Sequence, residues 1–278
     1  MVVAFGLGVA GRWFLGPRAE RVSDAARARL SPAASLDPGR AAVREHAALL
    51  ASATDAAERG RQRAATLAWI ARYPSSWCAV DLAMARAADD ATAGDLESAV
   101  ALVDGAFARA TSAARARGLA FAAGLARERG ARARARDLSV AALGLATSDR
   151  LRGEIALALG DLEVALGRDG DARAAYGLVL AHSPQPAKRL AAGVAIGWCW
   201  LRAHHPDEAA ACFAEGLSRA KARDEAPWRW GLAHAAHERG DRALAREQLE
   251  RVAASPAAGE LAARARAALA AWSLSDPR

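Results

Sequence analysis

The chain has 278 residues, 53% of them hydrophobic but only 5% aromatic, with a net charge of +7. Alanine supplies more than half of that hydrophobic content, and only two of the 38 basic residues, Lys188 and Lys221, are lysines. Alanine and arginine are strong helix formers while sheet-filling residues are few, which excludes a β or doubly wound α/β enzyme; eight Trp and regular apolar spacing exclude a disordered chain.

Residues 1–19 open with an apolar segment whose only charge up to Gly16 is Arg12. A spanning helix needs about 20 apolar residues and a signal peptide a basic start. The segment is therefore expected as a docked apolar end, the alternative being the tail of a longer membrane anchor. Leading helices are expected over 20–44: Glu20 to Leu30, a break at Ser31-Pro32, then Asp37-Pro38 as N-cap and first turn of the next.

From Glu45 a repeat sets in. Its clearest copies begin at Gly153, with Leu159-Gly160, Ala172, Tyr176 and Pro184, and at Leu190, with Ile196-Gly197, Trp200, Ala209 and Phe213 at the same offsets. A third begins at Asp224, with Trp230-Gly231, Ala243 and Pro256, the proline one position late. Weaker copies begin near Val80, with Gly94, Ala99 and Phe107, near Ala116, with Gly130 and Ala135, and near Glu45, with Gly60 in its turn and Ala64, Trp69 and Pro74 in its second helix. This pattern resembles the tetratricopeptide repeat, a helix–turn–helix of about 34 residues in which small residues let paired helices approach and an aromatic fills the space against the next pair. The resemblance implies an all-α, right-handed α-solenoid of antiparallel helix pairs, about six repeats over 45–256 without an internal domain boundary. A capping helix and short tail over 257–278 follow, with Leu261, Leu269 and Trp272 on the apolar side of Glu260 to Trp272.

Catalytic residues, cofactor sites and metal sites are not expected. There is no phosphate-binding glycine loop after a strand, no nucleophile elbow, and no paired CxxC among Cys78, Cys199 and Cys212. His204-His205-Pro206-Asp207-Glu208 is dense in potential ligands but falls where a turn and helix start are expected, and His234 and His237 are only two.

Two candidate binding surfaces remain. The resemblance implies a face lined by first-helix side chains, which transfers to Leu157, Asp161, Val194, Trp198, Leu201, Arg202, Trp228 and Leu232, beside Glu154 and Val164. It describes a groove with Trp198 and Trp228 as anchors, or equally two tryptophans that seal neighbouring helices. The other surface is the stretch 105–136, net +7 from Arg109, Arg115, Arg117, Arg127, Arg129, Arg132, Arg134 and Arg136 against Glu128. It reads as a solvated, arginine-biased helix surface, as a site for an acidic partner, or as one for nucleic acid or anionic membrane; with only Phe107 and Phe121 in the stretch, a single-strand stacking platform is disfavoured. The function expected is a non-enzymatic scaffold that binds a protein or peptide on the concave face. The alternative is arginine-mediated binding of nucleic acid or anionic membrane through 105–136. A cytoplasmic location is expected, with inner-membrane association through the apolar start as the variant of it.

Overall fold

A computed structural model describes residues 55–72, 77–107 and 111–274. The apolar start, the leading helices, most of the first helix expected from Glu45, Pro74 and Arg109 lie outside the described residues. Among those described stand twelve α-helices and no strand: α1 Ala56–Arg72, α2 Trp77–Thr92, α3 Leu96–Phe107, α4 Ser112–Glu128, α5 Arg132–Leu145, α6 Asp149–Ala165, α7 Asp169–His182, α8 Pro186–Arg202, α9 Pro206–Arg219, α10 Glu225–Glu238, α11 Arg242–Ala254 and α12 Glu260–Leu274.

Local chemistry sets these boundaries. Asp95 and Asp241 accept from the backbone N–H three residues on, at 3.0 and 3.1 Å, and start α3 and α11; prolines at the first position start α8 and α9. Four of the tight turns place a glycine in the left-handed region, at Gly94, Gly130, Gly167 and Gly240, and the fifth places His204 there at φ 60°. The histidine cluster therefore occupies a turn, as its proline and acids predict. Gly60 does not: it lies inside α1, as does Ala64, because a solvent-facing glycine weakens a helix by only about 1 kcal/mol and α1 contains no proline.

Contacts divide the chain into two compact units, one up to Leu151 and one from Arg152. In the first, α2 pairs with α3 and α4 with α5, and α1 lies against α2 and α3. Its core is mainly alanine, valine and leucine, including Ala83, Ala87, Ala99, Leu102, Val103, Ala122, Ala135 and Ala142, all fully buried. Within it are two charged groups: Arg86 is 1% exposed and Asp90 0%. Arg86 donates to Gln62 Oε1 at 3.0 Å, and Asp90 lies 3.5 Å from Arg86 and 3.0 Å from Arg63, so charges from two helices, α1 and α2, neutralise one another inside the unit.

In the second unit the portion of α6 from Arg152 pairs with α7, α8 with α9 and α10 with α11, and α12 covers α10 and α11. Here aromatic rings fill notches left by glycines. A Cβ on Gly160 would stand 2.5 Å from the Tyr176 ring, and one on Gly197 2.5 Å from Phe213. Trp228 lies against Gly193 and Gly216 in the same way.

The small residue at the fourth position of each second helix is buried throughout: Ala99, Ala135, Ala172 and Ala209 at 0% and Ala245 at 1%. The last of these corrects the sequence register. Ala243, expected at this position, is exposed, so the final pair is set two residues later than its Trp-Gly dipeptide suggests. The late Pro256 was the visible sign of that shift.

Candidate functional site

The first helices of the second unit lie side by side, α8 against α10 and α10 against α12, and share one face. On α6, Leu157 is half-buried and Asp161 accepts the Tyr176 hydroxyl at 2.8 Å; Glu154 meets Lys188 of α8 at 3.0 Å. On α8, Val194 and Trp198 are half-buried, and Arg202 reaches back to Asp169 of α7 at 2.7 Å. Leu157, Asp161, Val194, Trp198 and Arg202 therefore remain accessible in part.

Leu201, Trp228 and Leu232 do not. They are 5–7% exposed and belong to one core cluster with Phe213, Ala209, Ala210 and Ala235. Of the two roles open to Trp228 in the sequence, its geometry is that of a seal between α8, α9 and α10. These three residues back the face rather than form it.

The two-residue shift brings forward residues that the sequence register had passed over. Counted from Ala245 instead of Ala243, the counterparts of Val194, Trp198 and Leu201 on α10 are Trp230, His234 and His237. The rings meet across three helices: Trp198 and His234 at 5.3 Å, Trp230 and His234 at 4.6 Å, His234 and Trp272 of α12 at 5.4 Å. His237 stacks on Trp272 at 4.0 Å and 5° between planes, and the Arg264 guanidinium stands 5.6 Å over Trp230. Burial, then the neighbouring His237 and Arg264, push His234 from its ordinary 6.5 down to about 4, so it is neutral at physiological pH. The face presents a neutral imidazole between the half-buried Trp198 and Trp272, with the buried Trp230 beneath it, suited to apolar and aromatic contacts with hydrogen bonding at its rim.

Other reactive groups are withdrawn. Cys199 is fully buried and its thiol pushed up to about 12, chiefly by burial, so it is not a thiolate. Among the described residues no group of His, Cys, Asp and Glu could hold a metal ion, and no helix is long and apolar enough to cross a membrane. Of the basic stretch, Arg115, Arg117, Arg129, Arg132 and Arg134 are exposed, and Arg127 and Arg136 half-buried, on α4, α5 and the turn between them.

No protein-family model matches the sequence, and no curated protein matches it. Solved structures do. BtubC (BKLC) from P. vanneervenii superposes with a TM-score of 0.53 at 18% identity, over 80% of this chain and 92% of that one. YrrB, described as a tetratricopeptide-repeat protein with an unusual peptide-binding site, gives 0.51 at 19% identity, over 73% and 97%. A tetratricopeptide-repeat protein from Parabacteroides merdae ATCC 43184 gives 0.50 at 18% identity, over 71% and 80%. At such identities the likeness is one of fold.

Proposed function

We propose that this chain, whose all-α fold is that of the tetratricopeptide-repeat solenoids, is a non-catalytic scaffold that binds a protein or peptide segment on the first-helix face of its second unit. The observation that carries the reading is the half-buried ring cluster of Trp198, His234 and Trp272, seated on the buried Trp230 and flanked by Leu157 and Val194. Aromatic side chains converging from three helices offer large contact area at small conformational cost, the usual makeup of a binding hot spot. The peptide-binding site ascribed to YrrB lends the same fold a precedent for peptide recognition.

A partner segment would lay apolar side chains along Val194, Trp198 and Trp272 and place polar groups near Asp161 and His237. The test is a peptide array probed with the labelled chain, followed by titration of the hits against tryptophan emission. Saturable binding that is lost in Leu157→Glu/His237→Glu, with the melting temperature unchanged, supports the reading. Equal binding by that variant and the parent chain rejects it.

A further inference from the structure

We infer that the turn between α4 and α5 is a second docking surface, fitted to an acidic segment of a partner protein and independent of the first-helix face. Arg129, Arg132 and Arg134 are exposed there and Arg127 half-buried, and none has a carboxylate within ion-pair distance among the described residues. The second unit pairs many of its arginines, although Arg189 and Arg246 are exposed with no carboxylate within ion-pair distance among the described residues. Arg202, Arg219, Arg229, Arg239 and Arg251 each have a carboxylate oxygen at 2.7–2.8 Å. A coding bias toward arginine acts on both units alike and gives no reason for the carboxylates to be missing around one turn.

The surrounding chain leaves this charge uncompensated. The first turns of α3, α7 and α9 carry acids, whereas α5 begins with Arg132 and Arg134 and no acid. Glu128 and Asp137 are the nearby carboxylates, and Asp137 is 3.5 Å from Arg136. Two turns along α5 from the cluster, Val140 is 45% exposed, one of only two large hydrophobic side chains so exposed among the described residues.

These features choose among polyanions. Along α4 no charged residue stands between Arg117 and Arg127, a gap of about 15 Å at 1.5 Å per residue, so the arginines fall into a pair on α4 and a separate group around the turn rather than a rail for phosphates. An anionic membrane would need a broad apolar face beside the charges, and Val140 alone does not make one. A short acidic segment that wraps the start of α5, where Arg132 and Arg134 stand about 200° apart, fits both parts: its carboxylates pair with the guanidinium forks of Arg129, Arg132 and Arg134, and an apolar side chain covers Val140.

The test is fluorescence anisotropy of the full chain with a labelled peptide of Glu, Ala and Leu, alongside a labelled DNA duplex and phosphatidylglycerol vesicles at the same salt. Saturable peptide binding is expected, weakened at least roughly tenfold in Arg129→Gln/Arg132→Gln/Arg134→Gln and about threefold in Val140→Gln, as for loss of charge-assisted bonds and of one apolar contact. Arg132→Glu/Arg134→Glu serves as the second variant, because acids suit the first turn of a helix and α5 keeps its stability while the peptide is lost. Tighter binding of the duplex or the vesicles than of the peptide overturns the inference, as does peptide binding unchanged in the triple variant.

Discussion

In the second unit the space between helix pairs is filled by Phe213, fully buried against Gly197 and Gly231, and by Trp228 against Gly193 and Gly216. In the first unit the largest fully buried side chain is Arg86, whose guanidinium is held by Gln62 and Asp90. An alanine-rich chain leaves gaps between its helices, and these are two ways to fill them. A ring over a glycine notch gains by removing apolar area from water, at about 25 cal/mol per Å². A buried arginine fills volume with its stem but requires a counter-charge, so its contribution collapses when one partner is removed. The comparison predicts that the first unit is fragile to single charge changes and the second to changes of shape.

The largest expected effects test that contrast directly. Asp90→Ala removes the buried carboxylate beside Arg86, with the more exposed Asp89 at 4.0 Å remaining, and is expected to cost about 3–5 kcal/mol in urea unfolding. Trp228→Ala is expected to cost about 3–5 kcal/mol by opening a cavity between α8, α9 and α10. A loss below about 1 kcal/mol for Asp90→Ala would mean that the first unit is not held by charge, and the contrast would fail.

Acid should act on the second unit through His234. Its folded pKa of about 4 lies below the ordinary 6.5, so the unfolded chain binds the proton first as pH falls. The contribution is fully present above about pH 6.5 and is lost on acidification toward pH 4; two to three pK units correspond to something on the order of 3 kcal/mol. Melting curves of the parent and His234→Phe between these values check it. A parallel pH dependence in the two proteins would show that His234 does not carry the effect.

A smaller effect sharpens the same point. Gly197→Ala pushes a methyl into the Phe213 ring and is expected to cost about 1–3 kcal/mol. Gly144→Ala, in α5 of the first unit, meets nothing within 4 Å and should be neutral or stabilising by up to about 1 kcal/mol. Denaturation midpoints measured side by side give the sign of each.

The helix pairs were legible because their signals are local. Gly94, Gly130, Gly167 and Gly240 mark turns through their own backbone preference, and Pro186, Pro206 and Asp241 mark helix starts. Gly60 misled because a glycine within a helix and a glycine after one look alike in sequence, and only the continued backbone hydrogen bonding tells them apart. The first-helix face proposed for binding was half legible. Leu157, Val194 and Trp198 lie on it, but Trp228 and Leu232 were placed there by a Trp-Gly dipeptide matched two residues early.

What the sequence determined by itself was the period, the all-helical class and the small residue at each close helix contact, since these follow from backbone propensity and spacing of about 36 residues. The tertiary structure alone decided what each of the two buried tryptophans of α10 packs against. Trp228 and Trp230 stand about 200° apart on one helix, and either fits the repeat. The notch formed by Gly193 and Gly216 took Trp228, while Trp230 packs under His234 and Arg264, and His234 and His237 meet Trp272. The same holds for the arginines: their number is written in the sequence, but whether each meets a carboxylate depends on neighbours tens of residues away.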